Sequence, residues 1–200
     1  MSATPDDLDP RQRRTRRALA DAILTLAAEQ PVRDISVTGL AKAASVHRST
    51  VYQHAESPAG LLSDVLSREL DDVRDQFMGE MPSDDLPGLV HQVVMAVLEH
   101  LEKREAIYRR ELADPTNHLH SMLRNHFAMS VEAVIRSYDL GPADLPAEDL
   151  EVFVPIAARW VADATTGAMT VWLQGPKPRD FEAYARIHKR LLPPWWPVLP

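Results

Sequence analysis

The sequence predicts an all-α protein. It reads as a small three-helix N-terminal unit over residues 9–56, carrying a helix-turn-helix, and a larger helical unit over residues 57–200, with a connecting helix from about residue 57. Three observations predict this. Apolar residues recur at helical spacing along the chain, enough for about nine helices. No run of alternating β-branched residues and no Asn-Gly or Asp-Gly hairpin signal interrupts them. Most of the 16 prolines fall where one apolar stripe stops and the next begins.

The elements follow in order. Asp9-Pro10 is an N-cap with proline at the first helical position, and Leu19, Ile23, Leu26 and Ala27 form an inward stripe that Gln30-Pro31 ends. Ser36 caps a short second helix carrying Val37, Leu40, Ala41 and Ala44. After a turn at Ala44-Ser45-Val46, a third helix runs from about His47 to His54. Ser57-Pro58 opens a long fourth helix, and a break spans Gly79 to Pro87. The fifth helix carries Leu89 to Leu101, and the sixth covers about Arg104 to Leu112 before Asp114-Pro115. The seventh carries Leu119 to Tyr138. An eighth spans about Ala147 to Gln174, with Pro155 kinking it or delaying its start. The ninth covers about Arg179 to Leu192, and the tail Pro193-Pro194-Trp195-Trp196-Pro197 cannot continue it.

Composition narrows the function classes. Apolar residues make up 45% of the chain, which allows a sizeable core. Cysteine is absent, which excludes disulfides, thiolate metal sites and thiol nucleophiles. No apolar run approaches a membrane span, and the polar, acidic start MSATPDDLDP lacks the apolar stretch of a signal peptide. A cytoplasmic location without membrane contact is the expectation. Net charge is −7, yet residues 10–56 carry eight Lys/Arg against four Asp/Glu, and residues 57–200 carry 14 against 22. A basic head on an acidic body fits a nucleic-acid-facing unit, and equally a chance fluctuation. No nucleophile elbow, phosphate-cradling glycine loop or zinc signature is present, so no catalytic residue, cofactor or metal site is expected and the chain is not read as an enzyme.

The N-terminal unit carries the chemistry. Two short helices around a tight turn lay one helix across the DNA backbone and present the next to the major groove. The presented helix then needs an apolar rear, here Val46, Val51 and part of Tyr52, and a polar front, here His47, Arg48, Ser49, Thr50, Gln53 and His54. Arg11, Arg13, Arg14, Arg16 and Arg17 on the first helix suit phosphate or minor-groove contact, or form a solvated basic face.

The stretch DISVTGLAKAASVHRSTVYQHAESPAGLL resembles the N-terminal domain of the TetR family of transcriptional regulators, and the likeness covers the order of elements from about Arg11 to Leu66. The resemblance implies an all-helical homodimer that binds double-stranded operator DNA and responds to a small-molecule effector, typically as a repressor. It gives Ser36 a capping and phosphate-contact role and lets Thr38 face a base. Arg48 and Ser49 become base readers, since arginine bonds guanine O6 and N7 bidentately. Thr50, Tyr52 and His54 become backbone contacts, and Arg11, Arg14, His47 and Gln53 complete the expected DNA-binding set. Four positions depart from the family pattern. Ser45 replaces a turn glycine and should adopt a conformation open to any residue. His47 replaces a serine-like cap, Ala55 an aromatic, and Pro58 a lysine that contacts phosphate.

In the body, His91, Met95, Met122, His126, Phe127, Met129, Phe153 and Trp160 are read as a ligand pocket, although such residues also build cores. Histidines 91, 118, 120 and 126 lack metal-site spacing and are read as surface or rim groups. Small residues on the eighth helix, with Val161, Ala164, Thr165, Ala168, Trp172, Ile187 and Leu191, suit a symmetric four-helix dimer interface or packing within one chain. The alternative function is a helical dimer acting through a protein partner, with weak or non-specific DNA binding.

Overall fold

The computed structural model describes residues 9–78 and 85–197. Within them the chain forms nine α-helices: α1 (Pro10–Glu29), α2 (Val37–Ala43), α3 (Arg48–His54), α4 (Pro58–Met78), α5 (Leu86–Lys103), α6 (Glu105–Glu111), α7 (His118–Tyr138), α8 (Leu150–Gln174) and α9 (Phe181–Leu191). They belong to two compact units divided between Leu66 and Ser67, inside α4.

The first unit is built around Leu19, Ile23, Ala27, Leu40, Val51, Leu62 and Leu66, all buried. Its helix ends are fixed locally. Asp9 accepts a hydrogen bond from the Arg11 amide at 2.9 Å. Ser36 Oγ accepts from Gly39 N–H at 3.0 Å, and Ser57 Oγ from Gly60 N–H at 3.0 Å. The α2–α3 turn closes with paired bonds, Val46 N–H to Ala41 O at 2.9 Å and Ser45 N–H to Lys42 O at 3.2 Å. This Schellman arrangement requires a left-handed residue. Ser45 adopts it, with φ 55°. The expectation that a serine here would avoid the glycine conformation is therefore corrected. Two hydrogen bonds and the burial of α2 and α3 hold the strained residue in place.

The second unit is organised by α7 and α8, its most extensive helix pair. Ile135, Val154, Ala157, Ala158 and Trp196 form one buried cluster, against which Phe153, Leu192 and Trp195 pack. The tail beyond α9 thus enters the core, and its tryptophans explain why it is apolar. The Arg179 side chain is buried and bound by both Glu102 and Glu105, the latter at 2.6 Å. Lys177 joins the same two carboxylates, and together these cations push the Glu105 pKa down to about 2. Arg104 makes a two-point bond to Glu69 at 3.0 and 2.5 Å, tying α4 to the α5–α6 junction.

Several boundaries differ from expectation. The break expected over 79–87 ends earlier, because Asp85 caps Gly88 N–H at 3.0 Å and Pro87 lies inside the first turn of α5. Residues 79–84 of that break lie outside the described residues. The eighth helix opens as a 3₁₀ turn over Ala147–Asp149 and becomes α-helical at Leu150. Pro155 remains inside it, on an exposed face where water can satisfy the carbonyl it leaves unbonded. The ninth starts at Phe181 because Asp180 caps Ala183 N–H at 2.8 Å.

Ser45→Gly should raise stability by about 0.5–1 kcal/mol, since glycine removes a left-handed penalty of about 1–2 kcal/mol but loses more backbone entropy on folding. Denaturant unfolding followed by circular dichroism checks this, and a lower midpoint would contradict it.

Candidate nucleic-acid interface and ligand pocket

On α3, residues 48, 49, 52 and 53 follow the i, i+1, i+4, i+5 spacing of one helix face. Arg48, Ser49, Tyr52 and Gln53 are all exposed, and Val51 opposite them is buried. Thr50 and His54 flank this face, half-buried. Tyr52 is 56% exposed, so it belongs to the front and not to the apolar rear expected of it. His47 is the N-cap of α3 and makes no side-chain capping bond, which leaves its ring exposed. Thr38 on α2 is exposed, as are Arg11, Arg13, Arg14, Arg16 and Arg17 on α1. Ser36 is exposed too, and its hydroxyl oxygen is engaged as a cap.

The body holds a pocket of about 120 Å³ between α5, α7, α8 and α9. Leu89, Val90, Val93, Val94 and Val97 line it from α5, Phe127, Val131 and Val134 from α7, and Val161, Thr165 and Met169 from α8. Arg74 of α4, Leu86, Ser130, His188, Leu192 and Trp196 complete the wall. Of the eight residues expected in a pocket, only Phe127 lines this one. Met95 and Met122 lie on other faces of α5 and α7, turned from the lining residues by helical spacing. Met129 and Trp160 are exposed, at 72% and 53%. Phe153 packs edge-on against Trp195, at 5.4 Å between ring centres. His91 lies in a separate groove between α5 and α9, 3.9 Å from Glu182. His126 stands 3.7 Å from Asp71, away from the pocket.

A second feature is the outer face of α8 and α9. Asp163, Ala164, Gly167, Ala168, Val171 and Trp172 line an open groove there with Ala183, Tyr184, Ile187 and Leu191. Val171, Ile187 and Leu191 are 75%, 61% and 61% exposed. Val152, Ile156 and Trp160, also exposed, extend the same α8 stripe by one turn each. Five of the seven residues read as a dimer face, Ala164, Ala168, Trp172, Ile187 and Leu191, come together here. Val161 does not, being buried in the core, and Thr165 faces the pocket.

Sequence reasoning missed His188. It borders the pocket, the α8–α9 groove and the α5–α9 groove alike. Its Nε2 lies 3.0 Å from Thr165 Oγ1, and its ring stacks on Tyr184 at 5.3 Å. The one signal was its place a turn after Tyr184 on the inward face of α9. Burial pushes its pKa down to about 4, so it is neutral at pH 7. His100 is lowered to about 4, chiefly by burial, and lies 2.8 Å from the Tyr108 hydroxyl. Among the described residues no group of three His, Cys, Asp or Glu could hold a metal ion, and no helix is long and apolar enough to cross a membrane.

Solved structures share this arrangement of a helix-turn-helix unit and a larger helical body. The chain is similar to a TetR-family regulator from Streptomyces coelicolor A3, with TM-score 0.65 and 18% identity over 92% of this chain and 95% of that one. It is similar to a TetR transcriptional regulator from Streptococcus agalactiae 2603V, with TM-score 0.64 and 18% identity over 91% and 96%. It is also similar to FadR of Thermus thermophilus, a TetR-family transcriptional repressor in complex with lauroyl-CoA, with TM-score 0.62 and 18% identity over 88% and 92%. No family model matches the chain, and no curated protein matches it. The chain has the all-helical fold of the TetR-family regulators.

The buried histidines set a pH dependence. An unfolded histidine titrates near 6.5, whereas His188 and His100 stay neutral in the fold down to about 4. As pH falls from about 6.5 to about 4 the unfolded chain gains protons that the native one refuses, so stability is lost, by roughly 3 kcal/mol per histidine. Urea midpoints at pH 7.5 and pH 5 check this. His188→Gln should flatten the dependence, and equal wild-type midpoints would contradict it.

Proposed function

We propose that the chain is a DNA-binding transcriptional regulator, a ligand-responsive repressor that works as a homodimer and leaves its operator when a small molecule fills the body. The observation that carries this reading is the exposed, acid-free face of Arg48, Ser49, Tyr52 and Gln53 on α3, set behind a tight turn over a buried Val51. A helix with that division can enter a major groove and bond base edges. Arg48 and Ser49 read bases, with Thr38 in support. His47, Thr50, Tyr52, Gln53 and His54 fix register on the backbone beside Ser36. Arg11 and Arg14 supply phosphate contact, and the other α1 arginines offset the lysine replaced by Pro58. The three solved structures of the same fold described above, each a transcriptional regulator by its own description, support the reading.

Homodimerisation is supported by the exposed apolar stripe of α8 and α9, whose small residues Ala164, Gly167 and Ala168 let a second copy approach closely. A two-fold dimer matches a palindromic operator. Ligand response is supported by the apolar pocket in the same body. Filling it biases a conformational equilibrium, and the spacing of the recognition helices changes with it.

Affinity for a duplex from the DNA flanking the coding sequence should fall steeply between about 50 and 200 mM salt. Arg48→Ala should cost about 1–3 kcal/mol and relax specificity at one base position. Fluorescence anisotropy with matched and shuffled duplexes measures both, and equal binding to the two would overturn the reading. For assembly, Ile187→Glu should turn a sedimenting dimer into monomers and lower operator affinity at least about tenfold, because a charge is forced into an apolar seam. A wild-type chain that sediments as a monomer at micromolar concentration would remove the dimer from the mechanism.

A further inference from the structure

Among the described residues the polar groups of the pocket are few, and most are already engaged. Arg74 is held by Asp71 and Asp75, each at 2.9 Å. Ser130 donates its hydroxyl hydrogen to the His126 carbonyl at 3.1 Å. What remains is the Thr165–His188 pair, 3.0 Å apart. The rest of the wall is aliphatic or aromatic, with Val93, Val97, Phe127, Val131 and Trp196 typical of it.

Three consequences follow. A charged ligand would meet no free counter-ion on the lining, because the one lining cation is neutralised by two carboxylates and the one lining histidine is neutral at pH 7. The size is that of one ring, since a cavity of about 150 Å³ lined by Leu, Ile and Phe accommodates benzene. The Thr165–His188 pair has both donor and acceptor capacity left over. A neutral imidazole carries one N–H and one bare nitrogen, and only Nε2 is committed to Thr165. A hydroxyl group, which both donates and accepts, satisfies the pair in either tautomer.

We infer that the pocket takes a small uncharged molecule, about one ring in size, whose single hydroxyl group is read by Thr165 and His188. The inference rests on the reading of the body as a ligand-binding unit and names the chemistry that unit selects.

Calorimetry on the full chain tests it with three probes of similar size: benzyl alcohol, ethylbenzene and benzoate. Benzyl alcohol should bind at least about tenfold more tightly than benzoate, in line with the cost of an unpaired buried charge. Thr165→Val should weaken benzyl alcohol about three- to tenfold and leave ethylbenzene unchanged, the size of one lost neutral hydrogen bond. Val131→Phe should abolish both by filling the pocket. If that variant does not fold, Val94→Phe fills it from α5. The inference is overturned if benzoate binds as well as benzyl alcohol, if Thr165→Val changes nothing, if the filled variants still bind, or if neither neutral probe binds up to its solubility. Operator release by benzyl alcohol is scored separately. Binding without release would sink the regulatory reading and leave this one standing.

Discussion

The rotational setting of α8 about its own axis is the constraint on which the body depends. One side of the helix, with Val154, Ala158, Val161, Ala162, Met169 and Leu173, is buried. The other, with Val152, Ile156, Trp160 and Val171, is exposed and apolar. Asp163 sits between them and is held from two sides. Arg124 of α7 grips it at 2.7 and 3.0 Å, and Arg159 one turn earlier reaches it at 3.1 Å. These groups are near 40% exposed, and such pairs add at most about 1 kcal/mol of stability. Each fully buried aliphatic side chain contributes about 1.5–3 kcal/mol. The core therefore supplies the energy, and the arginine clamp selects among rotations the core alone would tolerate. A turn of 100° in one sense would bring Trp160 to the buried azimuth of Val161, and in the other would send Val161 to the exposed azimuth of Trp160.

The first unit solves a different problem with fewer residues. Its two short helices lack the length to be stable alone. They hold together because Leu40 and Val51 are buried and because the Schellman bonds close the turn. Strain at Ser45 is the local cost of that closure. The same closure leaves the face of α3 free of intrachain duty, which is the condition for reading another molecule.

Much of this was legible in the sequence, for physical reasons. Caps are local chemistry, so Asp9, Ser36 and Ser57 marked their helices correctly. The polar front of α3 was legible because a buried Val51 forces its neighbours at 48, 49, 52 and 53 outward. The lining of the pocket and of the exposed α8–α9 groove was less legible. Methionine and tryptophan content says that a helix is apolar and nothing of which side faces in. α8 is apolar on both sides, so composition placed Trp160 inside and Val161 outside, the reverse of the structure. Val152 and Ile156 passed unnoticed for the same reason. His188 and Trp196 come from the last helix and the tail, and only tertiary packing brings them to a pocket built by α5, α7 and α8.

The position of His188 links the pocket to the exposed α8–α9 groove. It walls the pocket on one side and the exposed α8–α9 groove on the other. Its bond to Thr165 ties α9 to α8, and its stacking on Tyr184 carries that tie to the groove, where Tyr184 meets Trp172 edge-on at 5.8 Å. A group that competes for Thr165 or His188 therefore acts on the bond between the two helices that present the exposed stripe. Helix pairs packed at native density shift as bodies and do not deform locally. In the proposed mechanism, a change of one hydrogen bond at this wall is converted into a displacement of the apolar face. That is the economy of a thin partition, in which the side chain that borders the pocket also supports a helix that carries part of the exposed apolar stripe.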